Sequence, residues 1–426
     1  MATPTDLPGP LTGLLALDFS RVLSGPIAGR ALTDLGASVI KIEPPQGDLS
    51  RFAFPKVNSI ALYYVQQNVG KRNISLDLQR PEAAVLLRRL AAQADVVLEN
   101  FRPGVMGRLG LDDATLRAAN PRLIYASLTG YGQDGPWSGR RAYAVITQAE
   151  MGMTAGSNSH RGGEPANEPY SHADVYAGLL TLSAILAALH QRDRTGEGQR
   201  VEVSMAESLL FVNEHVQSEL TDVEAPGRIL SMAPGDSPVC ETGEGHLVTI
   251  AGHPCGTGTF EMYCGAMGRE DLRDDPRFAT EAGRLMHREE LYGAVRDWVR
   301  SHLDLAQLER ELAAAGLAMG VVRDVREVAA SEWAAERGAI AAVPDRGGGT
   351  IRIPNSPWRF SAASARARGA PAYRGEHNRE VLAEMLGLDA DELDRLEAAG
   401  VLSSRVPASL VDQQAPGVAD RPPVDG

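Results

Sequence analysis

The chain has 426 residues, of which 43% are apolar and 23% charged, and its formal net charge is −13 at pH 7. This length predicts two or three domains, and the composition is that of a soluble globular protein. The acidic charge argues against nucleic acid or an anionic membrane surface as a partner, and the 5% of aromatic residues argues against a stacking platform for single strands.

The N-terminal third of the chain alternates short apolar runs with helical patterns. The predicted elements are a strand over 14–19, a helix over 27–35, strands over 38–43 and 73–78, a helix over 81–92, a strand over 95–99, and a strand within 122–132. This order indicates a doubly wound parallel sheet, although the dinucleotide fingerprint GxGxxG is absent. Ligands of such sheets bind beyond the carboxyl ends of the strands, here at 21–25, 100–108 and 130–135.

The middle of the chain is predicted to be helical, and its longest apolar helix covers 175–190. A strand over 200–204 and a helix over 205–220 follow. The Pro- and Gly-rich segment 224–240 indicates a domain boundary. Beyond it, the pattern predicts a smaller domain with a strand in 246–252 and helices within 258–316, then a hairpin or edge strand within 346–360 and a helix over 376–386.

The cysteines and the N-terminus predict an intracellular protein. Cys240, Cys255 and Cys264 form no CxxC pair, and their odd number fits neither a zinc site nor a disulfide framework, so no metal is expected. The first residues lack a basic region followed by an apolar one, so no signal peptide is predicted. No stretch approaches the roughly 18 apolar residues of a membrane span. We therefore expect a cytoplasmic location and no membrane partner.

Asp174 stands at the start of the long apolar helix and has two interpretations. An acidic residue there is most often a cap that accepts a backbone N–H. Alternatively, the helix N-terminus favours an ionised, nucleophilic carboxylate, which can attack a thioester. The residues around Asp174 leave both interpretations open.

Four basic residues lie in loops beside the predicted strands: Arg21, Lys71, Arg72 and Arg108. Each alone is an ordinary surface charge. Together, in an acidic protein, they could form the positive pocket that a phosphorylated ligand requires. His172 precedes Asp174 by two residues and is either a polar residue at a helix start or a substrate contact.

Several ordered segments are similar to those of one family: LDFSRVLSGPIAGRALTDLGASVIKIEPP at 17–45, NVGKRNISLDLQRPEA at 68–83, ADVVLENFRPGVMGRLG at 94–110, NPRLIYASLTGYGQDGP at 120–136, ADVYAGLLTLSAILAAL at 173–189 and RTGEGQRVEVSMAES at 194–208. Through them the chain resembles the class III CoA-transferase family, which includes formyl-CoA transferase, carnitine CoA-transferase and α-methylacyl-CoA racemase. The shorter segments NSPWRF at 355–360 and GEHNREVL at 375–382 are similar too.

The resemblance implies an α/β fold with a Rossmann-like large domain and a smaller α/β domain, in an interlocked homodimer. The implied bounds are 1–224 for the N-terminal part of the large CoA-binding domain, 225–330 for the small domain, 331–405 for a segment returning to the large domain, and 406–426 for a disordered tail.

The resemblance also implies the site residues. Asp174 matches the family's catalytic aspartate, followed four residues on by Gly178. The residues implied to bind CoA are Arg21, Val22, Ala28, Lys41, Lys71, Arg72, Asn100, Phe101, Met106, Arg108, Arg141 and Tyr143. We add four candidate substrate-side cations: Arg51, His160, Arg161 and His172. CoA or acyl-CoA would act as a substrate, with no tightly bound cofactor.

Two departures from the family bear on the reaction. Racemases of the superfamily carry a His-Asp pair where this chain has Tyr143 and Ala144, so racemisation is disfavoured. No poly-glycine run like that of formyl-CoA transferase is present, which argues against formyl/oxalate specificity. The expected reaction moves CoA from an acyl-CoA to a carboxylic acid, a dicarboxylate among the candidates, through an aspartyl anhydride and an aspartyl-CoA thioester. The alternatives are racemase-type proton transfer and a non-catalytic acyl-CoA binder.

Overall fold

The computed structural model of the chain describes residues 7–161, 164–221 and 234–407, without the side chains of 159–161 and 219. Its strands are β1 (Leu15–Asp18), β2 (Ser38–Glu43), β3 (Lys56–Val57), β4 (Ile60–Ala61), β5 (Arg72–Ser75), β6 (Val96–Glu99), β7 (Ile124–Thr129), β8 (Arg200–Ser204), β9 (Val239–Glu241), β10 (Leu247–Ile250), β11 (Met319–Val321), β12 (Ile340–Pro344) and β13 (Thr350–Pro354). The predicted tail, 406–426, lies almost wholly outside the described residues.

The helices are α1 (Ser24–Asp34), α2 (Leu62–Asn68), α3 (Pro81–Ala91), α4 (Val105–Arg108), α5 (Asp113–Ala119), α6 (Ala144–Glu150), α7 (Met153–Arg161), α8 (His172–Thr195), α9 (Met205–Val212), α10 (Val216–Leu220), α11 (Thr259–Met267), α12 (Glu270–Arg273), α13 (Glu281–Met286), α14 (Arg288–Arg300), α15 (Leu305–Ala314), α16 (Val325–Ala330), α17 (Glu332–Arg337), α18 (Asn378–Leu386) and α19 (Ala390–Ala398). Short 3-10 helices cover Leu49–Phe52, Pro234–Asp236 and Pro276–Phe278.

A six-stranded parallel sheet organises the fold, in the order β5-β2-β1-β6-β7-β8. Counted along the chain, this is the order third, second, first, fourth, fifth, sixth of a doubly wound sheet. The central strands are buried over nearly their whole length because helices cover both faces. The predicted α/β fold with a parallel sheet is therefore confirmed.

Successive residues of the strands enter two different cores. Leu17 of β1 packs in a core with α3, α5, α18 and α19. Its neighbour Ala16 packs on the other face, in a core with α1 and α8. Asp174, at the start of α8, therefore belongs to the sheet face that α1 also covers.

The described residues form two compact units, the first drawn from the ranges 1–155, 166–212 and 332–426, the second from 156–165 and 213–331. In the first unit, the β12–β13 hairpin forms a third core with α2, and Asn378 of α18 accepts the N–H of Ser75 at 2.8 Å. In the second, the antiparallel sheet β9-β10-β11 packs on α11, α14 and α15. The three cysteines are buried in this unit and form no disulfide.

Two sequence expectations are wrong in detail. The predicted helix over 205–220 is two helices, α9 and α10, because Asn213 accepts the N–H of His215 at 2.9 Å and this local bond competes with the helix.

The expectation that no stretch is apolar enough for a membrane span is also wrong. Among the described residues, α8 passes that test by length and composition, with a mean hydropathy of 1.5. One face of α8 packs in the core, as in many core helices.

Candidate active site at Asp174

Asp174 lies at the N-termini of two helices. It occupies the first turn of its own helix, α8, and Ser24, the first residue of α1, lies near enough to lower the pKa of its carboxyl group. The preceding residue, Leu23, supplies no side-chain cap to α1.

The pKa of Asp174 reflects two opposing effects. Burial raises it to about 6, and the donor groups of the nearby Ser24 lower it. The positive ends of two helix dipoles also favour the charged form. The group is therefore mostly ionised at neutral pH but close to the pH at which it takes up a proton. No ion pair involves Asp174 within the described part of the chain.

Gly178 allows α1 and α8 to approach closely enough for this contact. A Cβ at position 178 would lie 2.4 Å from the carbonyl oxygen of Ser24 and 2.2 Å from Cγ2 of Ile27. Both distances are far inside van der Waals contact, so only glycine fits between the helices. The glycine four residues after Asp174 therefore has a packing reason that acts directly on the site.

Asn100 joins the loop after β6 to the start of α1. Its side chain accepts the N–H of Arg21 at 2.8 Å and donates to the Arg21 carbonyl at 2.9 Å. It also donates to Oγ of Ser24 at 3.1 Å. The Nε atom of Arg21 is buried without a hydrogen-bond partner among the described residues. The structure thus brings Arg21, Asn100 and Asp174 together, with Ser24 between them.

Val22 lies in the same loop with its backbone in the left-handed region, at φ 67°. Its N–H donates to Oδ1 of Asp48 at 3.1 Å, and Asp48 pairs with the wholly buried Lys41 at 3.0 Å. Burial alone would raise the pKa of Asp48, but Lys41 and the hydrogen bonds of Ser50 hold it well below its usual value. Lys41 therefore supports the loop from inside and is not exposed to a ligand.

Lys71 is also an internal residue. Its ammonium donates to Asp18 at 2.8 Å, to the carbonyl of Pro26 at 2.9 Å and to Asn68 at 3.0 Å, which uses its three donors. Burial lowers the pKa of Lys71 to about 8, and Asp18 opposes that change. Ala28 is completely buried as well, in the core between α1 and the sheet.

Arg51 forms part of a buried network around Glu43. Its guanidinium contacts the Glu43 carboxylate at 2.7 and 2.8 Å and lies over the ring of Tyr64 at 3.7 Å. Tyr64 and Asn73 donate to the same carboxylate at 2.9 and 2.7 Å. Arg51, which was predicted to be a substrate-side cation, is thus paired with Glu43 in this structure.

Three aromatic side chains flank Asp174 along the chain: Tyr170, His172 and Tyr176. The ring of His172 stacks on Tyr176 at 5.6 Å and meets the edge of Tyr170 at 6.1 Å. Tyr63 is near enough that the negative charge of Asp174 adds to the effect of burial, which raises the pKa of Tyr63 to about 12. Tyr63 is 40% exposed, so its hydroxyl can face a ligand.

The other predicted residues occupy varied positions. Arg108 and Arg141 are exposed, as is Tyr143, whereas Met106 is buried in the core and Phe101 packs against it. Arg72 pairs with Glu384 at 2.6 Å. The side chains of His160 and Arg161 lie outside the described residues.

A cavity of about 270 Å³ opens on the opposite face of the sheet from α8. It is lined by Glu99, Tyr125, Ser127, Arg102 and Arg200, among others. Burial raises the pKa of Glu99 to about 7, and Glu99 accepts hydrogen bonds from Ser127 and from the N–H of Phe101. The sheet separates this cavity from Asp174.

Sequence reasoning missed three residues: Ser24 and Tyr63, near the carboxylate, and Asp48, which supports the loop before α1. Ser24 stands directly before the Gly-Pro pair of a helix start, where the first backbone N–H groups have no intrahelical partner, and this was a usable signal. For Tyr63 and Asp48 no local signal existed, since their proximity to the site depends on how α2 and the segment after β2 pack.

Comparison with known proteins shows the family. The family described as CoA-transferase family III matches residues 11–378. A succinate–glutarate CoA-transferase of Agrobacterium fabrum is 34% identical over 400 residues, covering 89% of this chain and 98% of that protein. A succinyl-CoA–D-citramalate CoA-transferase of Chloroflexus aurantiacus is 33% identical, covering 93% and 98%. The crystal structure of a CAIB/BAIF family protein from Brucella suis superposes with a TM-score of 0.74 at 32% identity, covering 89% of this chain and all of that one.

Proposed function

The chain belongs to CoA-transferase family III and is an enzyme of that class, and from this premise we propose that it moves CoA between carboxylic acids through a covalent intermediate on Asp174. The observation that carries the proposal is the position of this carboxylate: partly buried, free of ion pairs among the described residues, and placed in the first turn of α8 near the start of α1. Such a group is ionised at neutral pH and can act as a nucleophile.

The proposed reaction needs no net proton transfer. An oxygen of Asp174 attacks the thioester carbonyl, the C–S bond breaks, and an aspartyl anhydride and CoA thiolate result. The thiolate attacks the aspartyl carbonyl, releases the donor carboxylate and leaves an aspartyl-CoA thioester. The acceptor carboxylate attacks this thioester, and the thiolate so released then attacks the acceptor carbonyl of the new anhydride. The products are the new acyl-CoA and the Asp174 carboxylate.

We further propose that exposed arginines, with Arg21, hold the phosphates of CoA. Arg108 and Arg141 are exposed, and the Nε of Arg21 has no hydrogen-bond partner within the described part of the chain. Guanidinium groups suit phosphate because they can donate two parallel hydrogen bonds. Lys41 and Lys71 contribute indirectly, by fixing the loop that carries Val22 and the start of α1.

The interlocked homodimer also belongs to the proposal. In the 18-residue apolar window of α8, 44% of the residues are buried in the single chain. The neighbouring helices α6 and α9 expose Ile146 and Phe211, and Phe211 is 79% exposed. Apolar surface of this extent is typical of an interface between subunits. Sedimentation equilibrium should give twice the mass of one chain; a monomer at micromolar concentration would refute the dimer.

The test of the proposed function is covalent trapping. The protein is incubated separately with succinyl-CoA, acetyl-CoA and formyl-CoA and treated with hydroxylamine or borohydride, and the modified peptide is mapped by mass spectrometry. We expect modification at Asp174, none in Asp174→Asn, and full modification in Asp193→Asn, which alters an exposed aspartate of the same helix. Absence of label, together with deuterium exchange at the α-carbon of an acyl-CoA, would instead support racemase chemistry. CoA binding without either result would support a non-catalytic binder.

A further inference from the structure

We propose that Glu99 is a positioning residue that joins the two loops expected to hold acyl-CoA, the loop after β6 and the glycine-rich loop after β7. This role rests on the proposed function, in which acyl-CoA is the substrate. Glu99 is the last residue of β6 and stands opposite Ser127 of β7 in the parallel sheet. Only 3% of Glu99 and 1% of Ser127 is exposed, so the neighbours of this carboxyl group are set by the fold.

One carboxylate oxygen of Glu99 shapes the loop after β6. Oε2 accepts the N–H of Phe101 at 2.8 Å, which closes a short turn around Asn100. The side chain of Asn100 exchanges two hydrogen bonds with the backbone of Arg21, at 2.8 and 2.9 Å. Successive residues of a strand point to opposite faces of the sheet, so the turn passes from the cavity face to the face that α1 covers. Glu99 therefore fixes the residue that holds the loop before α1.

The other carboxylate oxygen reaches the loop after β7. Oε1 accepts the hydroxyl of Ser127, and Oγ of Ser127 accepts the side-chain amide of Gln133. The N–H of Gln133 donates to Glu202 of β8 at 2.5 Å. Gln133 lies in the segment between β7 and α6, which also carries Arg141, one of the arginines proposed to hold phosphate. One buried carboxyl group thus has hydrogen-bonded paths to both loops.

The charge of Glu99 decides whether both paths persist. The N–H of Phe101 can only donate, and an ionised carboxylate accepts at both oxygens. A protonated carboxyl group has one oxygen that donates, and toward Ser127 this oxygen meets a hydroxyl that already accepts from Gln133. The hydroxyl proton of Ser127 then loses its acceptor, and the path to Gln133 weakens. The ionised form of Glu99 is therefore the form that joins the loops.

The surroundings of Glu99 bring this protonation close to neutral pH. Other titratable groups line the same cavity or lie on the neighbouring strand: Arg102, Asp112, Asp113, Tyr125, Arg200 and Glu202. Burial raises the pKa of Glu99 to about 7; the hydrogen bonds from Ser127 and Phe101 and the charge of Arg200 lower it, and the charge of Glu202 raises it. The ionised form is thus the main one only above pH 7.

The experiment compares Glu99→Gln with a matched control, Tyr125→Phe, in the purified full-length protein. Glutamine keeps the shape of Glu99 but presents one acceptor and one donor, as the protonated acid does. Tyr125→Phe removes a hydroxyl from a residue that lines the same cavity and leaves both paths in place. Calorimetric titration with CoA at pH 6, 7 and 8 gives the dissociation constants, and an acyl-CoA that labels the wild type gives kcat and KM.

We expect Glu99→Gln to raise the dissociation constant of CoA about tenfold at pH 8, as for a lost bond to a charged group. KM should rise by a similar factor with little change in kcat, because Glu99 lies across the sheet from Asp174. The ratio of the variant and wild-type dissociation constants should fall toward one at pH 6, where the wild-type Glu99 is protonated too. This ratio cancels the titration of CoA and of Asp174, which both proteins share. Tyr125→Phe should bind CoA as the wild type does at every pH.

The outcomes separate this inference from the function on which it rests. If the wild type is not labelled at Asp174, the proposed function fails. If the wild type is labelled and Glu99→Gln keeps the wild-type affinity for CoA at pH 8, or loses affinity by the same factor at every pH, the positioning role is refuted and the function stands. If Glu99→Gln does not fold, Ser127→Ala, which removes only the path to Gln133, must show the same pH-dependent loss of affinity.

Discussion

The backbone N–H of Val22 donates to the Asp48 carboxylate at 3.1 Å, and Val22 holds a left-handed conformation with φ at 67°. This conformation costs a β-branched residue about 1–3 kcal/mol. The carboxylate that stabilises it is itself fixed by Lys41 at 3.0 Å and by Ser50. A buried ion pair from the second strand and the segment after it therefore determines the shape of the loop that leads into Ser24.

Replacing Asp48 by Asn should destabilise the protein by about 3 kcal/mol at pH 7, because the buried ammonium of Lys41 loses its paired carboxylate. The pKa of Asp48 is depressed in the folded state. Its contribution is therefore present above the unfolded pKa near 3.8 and is lost as the pH falls below it. Urea unfolding at pH 7 and pH 3 measures both effects.

Val22→Gly serves as the companion variant, since glycine adopts positive φ without strain. Its free energy of unfolding should equal or exceed that of the wild type. Equal unfolding midpoints for Asp48→Asn and the wild type at pH 7 would contradict the role assigned to the ion pair.

Asp174→Asn should abolish transferase activity but stabilise the fold at neutral pH. The folded pKa of Asp174 is raised, to about 6 from 3.8, so the folded state binds more protons than the unfolded state between these values. Stability from this group is present below pH 4 and is lost as the pH rises through 6. The neutral amide of the variant avoids that loss. Its free energy of unfolding at pH 8 should exceed that of the wild type by on the order of 2 kcal/mol, and the partial exposure of the group makes this difference smaller.

Thermal unfolding of the two proteins at pH 8 and at the lowest pH at which both remain folded tests this prediction. The variant should unfold at a higher temperature at pH 8, and the difference should shrink toward pH 4. A lower melting temperature for the variant at pH 8 would show that the carboxylate is not strained by burial.

Gly178→Ala should separate the starts of α1 and α8. The added Cβ would meet the Ser24 carbonyl oxygen at 2.4 Å, so the helices must move apart one turn from Asp174. We expect a loss of about 1–3 kcal/mol of stability, as for overpacked cores, and a loss of kcat that exceeds the change in KM. The control for the loss of a glycine alone is Gly196→Ala. An added Cβ at this position would have no atoms within 4 Å, but φ is 82°. This variant should therefore be less stable than the wild type and have an unchanged kcat.

Arg108→Ala should weaken the binding of acyl-CoA, whereas Lys71→Ala should destabilise the fold. Arg108 is exposed, so its loss should raise KM for acyl-CoA about tenfold, without a change in the free energy of unfolding. Lys71 pairs with the buried Asp18 at 2.8 Å, so its loss should destabilise the protein by about 3–5 kcal/mol. Steady-state kinetics and urea unfolding of both variants measure the contrast. A stable Lys71→Ala protein with a raised KM would assign Lys71 to the CoA site.

The sequence by itself determined several strands and helices of the large sheet, and the family. Runs such as Ser38–Glu43 and Arg200–Ser204 were predicted with the bounds that the structure has, because strand periodicity and apolar runs are local properties of the chain. The position of Asp174 at a helix start was equally local. The family followed from the order of several motifs, which no single residue could supply.

Only the tertiary structure decided which charged side chains are buried. The family resemblance implied that Lys41 and Lys71 bind CoA, yet both are buried and paired. Their partners are fixed by contacts between distant segments: Lys71 and Asp18 lie 53 residues apart. The same holds for the contact between Ser24 and Asp174, which exists because α1 and α8 cover one face of the sheet. Periodicity shows which face of an element is buried, whereas the pairing of buried polar groups depends on which elements meet there.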